Sequence, residues 1–148
     1  MTPAEDFDRR ILSIWIARGL VGIVFALNLG CAFSFLAQPE RYAPAFELEG
    51  TQGRIVVQAF GLLFLMWNAT YPPVLLRPRA HLTLLGVAVV QQTLGLAGET
   101  WLWSGLPSGH LALWNTGLRF IVFDGAGLAL LGIAFMLLKA TDSRAAPG

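Results

Sequence analysis

Four long apolar runs divide the chain: Ile11 to Leu36, Ile55 to Leu76, Leu82 to about Leu102, and Leu113 to Leu138. Each reaches the roughly 20 residues that an α-helix needs to cross about 30 Å of hydrocarbon. Lipid offers no partner to an open backbone N–H or C=O, so helices are the required form. The connections after the second and third runs are short, which makes neighbouring spans antiparallel. The pattern predicts an all-α protein, an integral membrane four-helix bundle in up-down-up-down order, as a single domain over residues 1–148. Ahead of the first run, "TPAE" places Thr2 at an N-cap, Pro3 at the first helical position and Glu5 where a capping box closes. The first helix is therefore expected to begin before the apolar run does.

Between the first two runs lies "AQPERYAPAFELEGTQGR", punctuated by Pro39, Pro44, Gly50 and Gly53. It reads as a folded-back loop or a short interfacial helix. Pro72 and Pro73 predict a kink or an end late in the second helix, with Tyr71 placed to cover the freed carbonyls. The closing "TDSRAAPG" reads as a disordered tail.

Composition strengthens the membrane reading. Hydrophobic residues make up 55% of the chain and charged residues 13%, the latter roughly half the share of a soluble domain. A net charge of +1 from scattered basic residues cannot build the cationic stripe that nucleic acid requires, so nucleic acid is set aside as a partner. Cys31 is the sole cysteine, which excludes an internal disulfide, a CxxC redox pair and a cysteine-based zinc site. The apolar region is too long for a cleaved signal peptide, and acidic Glu5, Asp6 and Asp8 precede it. His81 and His110 fall at opposite faces and cannot ligate one haem. With no HExxH, GxSxG or phosphate-binding glycine loop, no catalytic residue, metal or cofactor is assigned.

The connections alternate in charge. Arg9, Arg10, Arg77, Arg79, Lys139 and Arg144 share one side, against Arg41 and Arg54 on the other. The positive-inside rule then places both termini in the cytoplasm of a cell (inner) membrane protein. Trp101, Trp103, Trp114 and Tyr42 mark the outer boundary and Trp15 the inner one, while Trp67 alone lies at mid-depth.

Within this topology every polar residue of the spans has a depth, at about 1.5 Å per residue. Arg18 lies about 10 Å from the inner boundary, and Asp124 reaches a similar level from the outside. Glu99 and Arg119 both lie towards the outer end. Arg119 and Asp124 sit about 140° apart around their helix and must face different neighbours. The expected ion pairs are therefore Arg18 with Asp124 and Glu99 with Arg119, because an unpaired charge at mid-membrane costs at least about 2.5–3.5 kcal/mol. The alternative for the two arginines is snorkelling, Arg18 to the inner interface and Arg119 to the outer one.

Gln92, Gly95 and Glu99 form one polar stripe on the third span and Gln58, Gly61 and Asn68 another on the second, with Asn28 and Asn115 at outer depth. Two readings stand for these groups. They are interhelical glue, or they line a ligand cavity formed from Asn28, Gln58, Asn68, Gln92, Glu99, Asn115 and Arg119. Gly22, Ala26 and Gly30, with Gly125 and Ala129, offer small-residue ridges for close packing within the bundle or between protomers.

The stretch "RGLVGIVFALNLG", from Arg18 to Gly30, resembles the opening helix of the DoxX-like membrane proteins, in which arginine is followed by glycine, phenylalanine and glycine. Arg18, Gly22 and Phe25 match; Gly30 falls one residue late. The resemblance implies a small bundle, in some relatives attached to quinone or thiol oxidation systems, and carries over no catalytic residue. The expected function is a nonenzymatic helper or binding subunit of a membrane assembly with a polar intramembrane pocket. Its expected partners are the lipid bilayer, a quinone or lipid in the pocket, and a second copy or another membrane protein. A small-solute or proton transporter and a membrane subunit of a quinone-linked oxidoreductase are the alternatives.

Overall fold

The computed structural model describes residues 3–143. The chain forms α1 (Pro3–Ala37), α2 (Pro39–Tyr42), a 3₁₀ turn (Ala43–Phe46), α3 (Gly50–Trp67), a second 3₁₀ turn (Asn68–Thr70), α4 (Tyr71–Leu76), α5 (Leu82–Ser104) and α6 (Leu111–Ser143). Four stretches of these are long and apolar enough to cross a membrane: Phe7–Ala37, Gly50–Leu76, Leu82–Ser104 and Leu111–Thr141. Each contains its expected apolar run, and the protein is a small multi-pass membrane protein built as a four-helix bundle. Thr2 and the tail from residue 144 onward lie outside the described residues.

The order of packing follows from the short connections. α6 lies against both α1 and α5, α1 also lies against α3, and α4 bridges α1 and α5. α3 and α5 do not pack along each other. The bundle is thus closed at the end where α1 begins and α6 finishes, where α4 fills the gap, and open between α3 and α5 at the end formed by residues 38–49 and 105–110. The closed half is a core of small and branched side chains: Ala17, Val21, Val24, Val74, Leu85, Ala88, Leu131, Ala134 and Leu138, with the ring of Tyr71. In the open half the core is aromatic, with Phe35, Ala43 and Val57 surrounded by Tyr42, Phe46, Phe60, Phe64 and Phe120.

The second span breaks where proline dictates. Pro72 and Pro73 bring no N–H to the carbonyls four residues back, those of Asn68 and Ala69, and their rings crowd them. The chain answers with the Asn68–Thr70 turn. In the tightened turn the Tyr71 N–H reaches the freed Asn68 O, and side chains add to the carbonyls just before it: Asn68 Nδ2 donates to Phe64 O at 2.6 Å and Thr70 Oγ1 to Trp67 O at 3.4 Å. Tyr71 does not take the covering role expected of it. Its ring stacks on Phe25, with centroids 5.7 Å apart, and its buried hydroxyl has no hydrogen-bond partner among the described residues.

The small-residue ridges also fall elsewhere than expected. Ala26 and Ala129 are exposed, and a Cβ added to Gly30 or Gly125 would meet nothing within 4 Å. These positions do not bring helices together within the protomer. Gly61 does so instead, because a Cβ there would lie 2.8 Å from Leu36 Cγ and 2.9 Å from Ala32 O on α1.

An even number of spans puts the two described ends of the chain on one side of the membrane. Reporter fusions after Leu76 and after Ala140 should read one compartment and fusions after Leu36 and Ser108 the other. Any two of these that break the alternation would refute the four-span bundle.

Candidate functional site

The gap between α3 and α5 is a cavity of about 520 Å³. Its walls are Phe60, Phe64 and Trp67 from α3, Trp103 and Leu106 from α5 and the turn beyond it, and Leu113, Gly117 and Phe120 from α6. Two of its lining residues, Leu63 on α3 and Leu102 on α5, are more than half exposed. They form a rim at the side of the bundle, between α3 and α5.

Its roof is the loop after α1. Phe46 packs on Phe60 (5.2 Å between centroids), Phe35 (6.0 Å) and Phe120 (6.1 Å). Two polar contacts bind this loop to the start of α6. Thr116 Oγ1 donates to Ala45 O at 2.7 Å, and the Glu47 carboxylate meets His110 Nδ1 at 2.5 Å. Glu47 stands in the left-handed region (φ 55°), which turns its side chain back over α6. The hydrogen bond to His110 holds the Glu47 carboxyl below its ordinary value of 4.5, and the first-turn N–H groups of Leu113 and Ala112 act in the same direction. This is a helix N-terminus capped from a distant loop. A carboxyl depressed in the folded state stabilises above its unfolded pKa and loses that contribution as pH falls through its lower native value. Hydrogen exchange of residues 39–48 should therefore rise below pH 4.5 in the wild type and already at pH 7 in Glu47→Ala. Equal exchange in both proteins at pH 7 would show that the contact does not hold the loop.

The floor is polar. Asp124, only 7% exposed, accepts from Gln92 Nε2 at 2.9 Å, and the same Nε2 reaches Asp124 O at 3.3 Å. Glu99, one turn along α5 from Gly95, lines the cavity with Asp124. Two glycines make the crossing possible. A Cβ on Gly95 would stand 2.7 Å from Asp124 Oδ2, and one on Gly127 2.9 Å from Gln92 Nε2. Each polar side chain lies on the glycine of the facing helix. Asn28 completes the floor from α1, donating to Asn68 Oδ1 at 3.4 Å. From the first residue of α6 to Asp124 the helix rises about 20 Å, so the floor lies beyond the middle of a 30 Å hydrocarbon layer.

Of the residues expected to line a cavity, Asn28, Gln92 and Glu99 do so. Asn68 lies behind Asn28, and Gln58 reaches across to Leu36 O at 3.5 Å. Asn115 and Arg119 are exposed on the outer side of α6 and face away from the floor. Neither expected ion pair forms. Arg18 Nη2 donates to Leu76 O at 2.7 Å at the closed end and its guanidinium lies 5.0 Å over the Trp15 ring, the snorkelling alternative. Asp124 is met by Gln92 instead, and Glu99 lines the cavity with Asp124 while Arg119 is exposed. Depth along a helix is readable from sequence, whereas the direction in which a long arginine leaves it is not.

The three residues that carry the DoxX-like resemblance share a place. Arg18 holds Leu76 O, Gly22 faces Leu75 at the distance of ordinary contact and Phe25 stacks on Tyr71, so all three dock α4 onto α1 and none reaches the cavity. The chain matches no family model, no curated protein and no solved structure.

Proposed function

We propose that the protein is a nonenzymatic binding subunit that takes an amphipathic molecule from the bilayer through the gap between α3 and α5 and holds its polar head on the Gln92–Asp124–Glu99 floor. The observation that carries this reading is the union of a sideways opening with a polar floor at hydrocarbon depth. Glue alone would leave α3 and α5 packed together. A lipid-like chain fits the aromatic walls, and burying it there removes apolar surface from no water, so affinity rests on packing and on the polar head.

Transport is the second reading, and the continuity of the helices speaks against it. α1, α5 and α6 run unbroken, and the single interruption at Asn68–Thr70 has no counterpart in the other half of the chain, unlike the paired breaks around a midplane transport site. A quinone-linked role would need head-group donors, and the central amide of the floor, Gln92, is already committed to Asp124. Arg9, Arg10, Arg77, Arg79 and Lys139 gather at the closed end, which supports a cytoplasmic position for that end and an outer-leaflet position for the opening.

The test is retention. Wild-type protein extracted gently and weighed by native mass spectrometry should carry one amphiphile, while Leu63→Trp and Leu102→Trp, which narrow the rim, should lose it. Met66→Trp, on an exposed position outside the lining, should keep it. Wild-type protein without any retained amphiphile, or rim variants that retain it fully, would overturn the proposal.

A further inference from the structure

We infer that the head group held on this floor is a protonated amine, so that the site selects lipophilic ammonium compounds over neutral and anionic amphiphiles; the inference rests on the binding reading above and adds the ligand's chemistry.

The argument is a count of donors and acceptors around the cavity. Most lining donors already have an acceptor in the protein, the exceptions being the Trp67 indole N–H on the wall and the second amide N–H of Asn28. Asn28 Nδ2 serves Asn68 Oδ1, Gln92 Nε2 serves Asp124, Trp103 Nε1 serves Trp114 O at 3.1 Å, and Thr116 Oγ1 serves Ala45 O. The acceptors are in surplus. Glu99 Oε2 has no hydrogen-bond partner, and Asp124 Oδ2 lies over Gly95, where no side chain competes for it. A head group that accepts, such as a quinone carbonyl, a phosphate or a carboxylate, finds on this floor only one amide N–H of Asn28 and must face both carboxyls to reach it. One that donates finds two carboxyls.

Charge points the same way. No Lys, Arg or His lines the cavity. Arg119 faces away from the floor and Arg18 is occupied at the closed end. Glu99 and Asp124 are the only ionisable side chains in the lining, so charge on the floor is negative and calls for a cation. At hydrocarbon depth an ammonium is tolerated only against an anionic partner. The walls reinforce the preference, since Trp67, Trp103, Phe64 and Phe120 present π-faces, to which cations are attracted and anions are not. A primary to tertiary ammonium with an aryl or short alkyl body meets all three features.

Three probes of one shape separate the possibilities. 1-Naphthylmethylamine, 1-naphthylmethanol and 1-naphthoate are each dialysed to equilibrium against the full chain in lipid nanodiscs at pH 7, with empty nanodiscs subtracted. The amine should bind about tenfold or more tightly than the alcohol, the factor of a charge-assisted hydrogen bond, and the naphthoate should not bind. Glu99→Gln/Asp124→Asn, isosteric changes that remove both carboxyls, should bring the amine down to the level of the alcohol, and either single change should weaken the amine by less. Equal binding of amine and alcohol by the wild type would overturn the inference while leaving the binding site in place. So would an amine preference that survives in the double variant. If none of the three binds, the cavity is not a ligand site, and the inference falls with the proposed function.

Discussion

Gly61→Val should destabilise the detergent-solubilised protein by about 2–3 kcal/mol, the usual cost of forcing extra methyl groups into a well-packed contact. The thermal midpoint should fall by roughly 5–10 °C for a chain of this length. A Cβ at position 61 would already lie 2.9 Å from Ala32 O. That oxygen belongs to the backbone of α1 and cannot rotate away as a side chain can, so α1 and α3 must move apart along their contact. The displaced helix carries Phe60 and Phe64, two walls of the cavity, so retention of a bound amphiphile should fall together with stability. Gly30→Val and Gly125→Val are the controls: a Cβ at either position would meet nothing within 4 Å, and both should change the midpoint by little. A midpoint unchanged by Gly61→Val, with the controls also unchanged, would mean that α1 and α3 are not held at this separation in the membrane protein.

The contrast between Gly61 and Gly30 shows what was legible in the chain and what was not. Four spans and their antiparallel order follow from run length and short connections, because lipid leaves the backbone no alternative. The folded-back segment after the first span is equally readable from its prolines and glycines, and it forms α2 and the turn that roofs the cavity. The stripe of Gln92, Gly95 and Glu99 on α5 points inward as its spacing predicts, and α6 lies between α1 and α5 as a four-span order requires. The pairing of charges is where reading from sequence fails. Coulomb's law at hydrocarbon depth favours opposite partners, yet Arg18 has four methylene-length bonds with which to reach the interface, and Asp124 has one. The short side chain stays where the helix puts it and takes its donor from Gln92, whereas the long one leaves. The sideways opening was not legible either, since it depends on α3 and α5 failing to touch, and nothing in a single helix records which neighbour it lacks.

Gln92→Leu tests the crossing between α5 and α6 most directly, and it should be more damaging than removing Gln92 and Asp124 together. An interhelical hydrogen bond in a membrane protein is worth about 0.6 kcal/mol on average, but a bond to a carboxyl that is left buried without its donor costs about 1.5–3 kcal/mol. Asp124 is 7% exposed and accepts at 2.9 Å, and no cation stands in for the missing amide. The larger figure therefore applies. In Gln92→Leu/Asp124→Leu the unsatisfied carboxyl is gone, and two leucines of similar length cross between Gly95 and Gly127, which still leave them room. Glu99, half-buried at the cavity wall, keeps access to water or ligand. Unfolding of reconstituted protein by denaturing detergent should therefore rank the double variant above Gln92→Leu and near the wild type. A double variant less stable than Gln92→Leu would mean that Asp124 contributes to the fold through some contact other than Gln92, and that the polar floor is structural before it is a binding site.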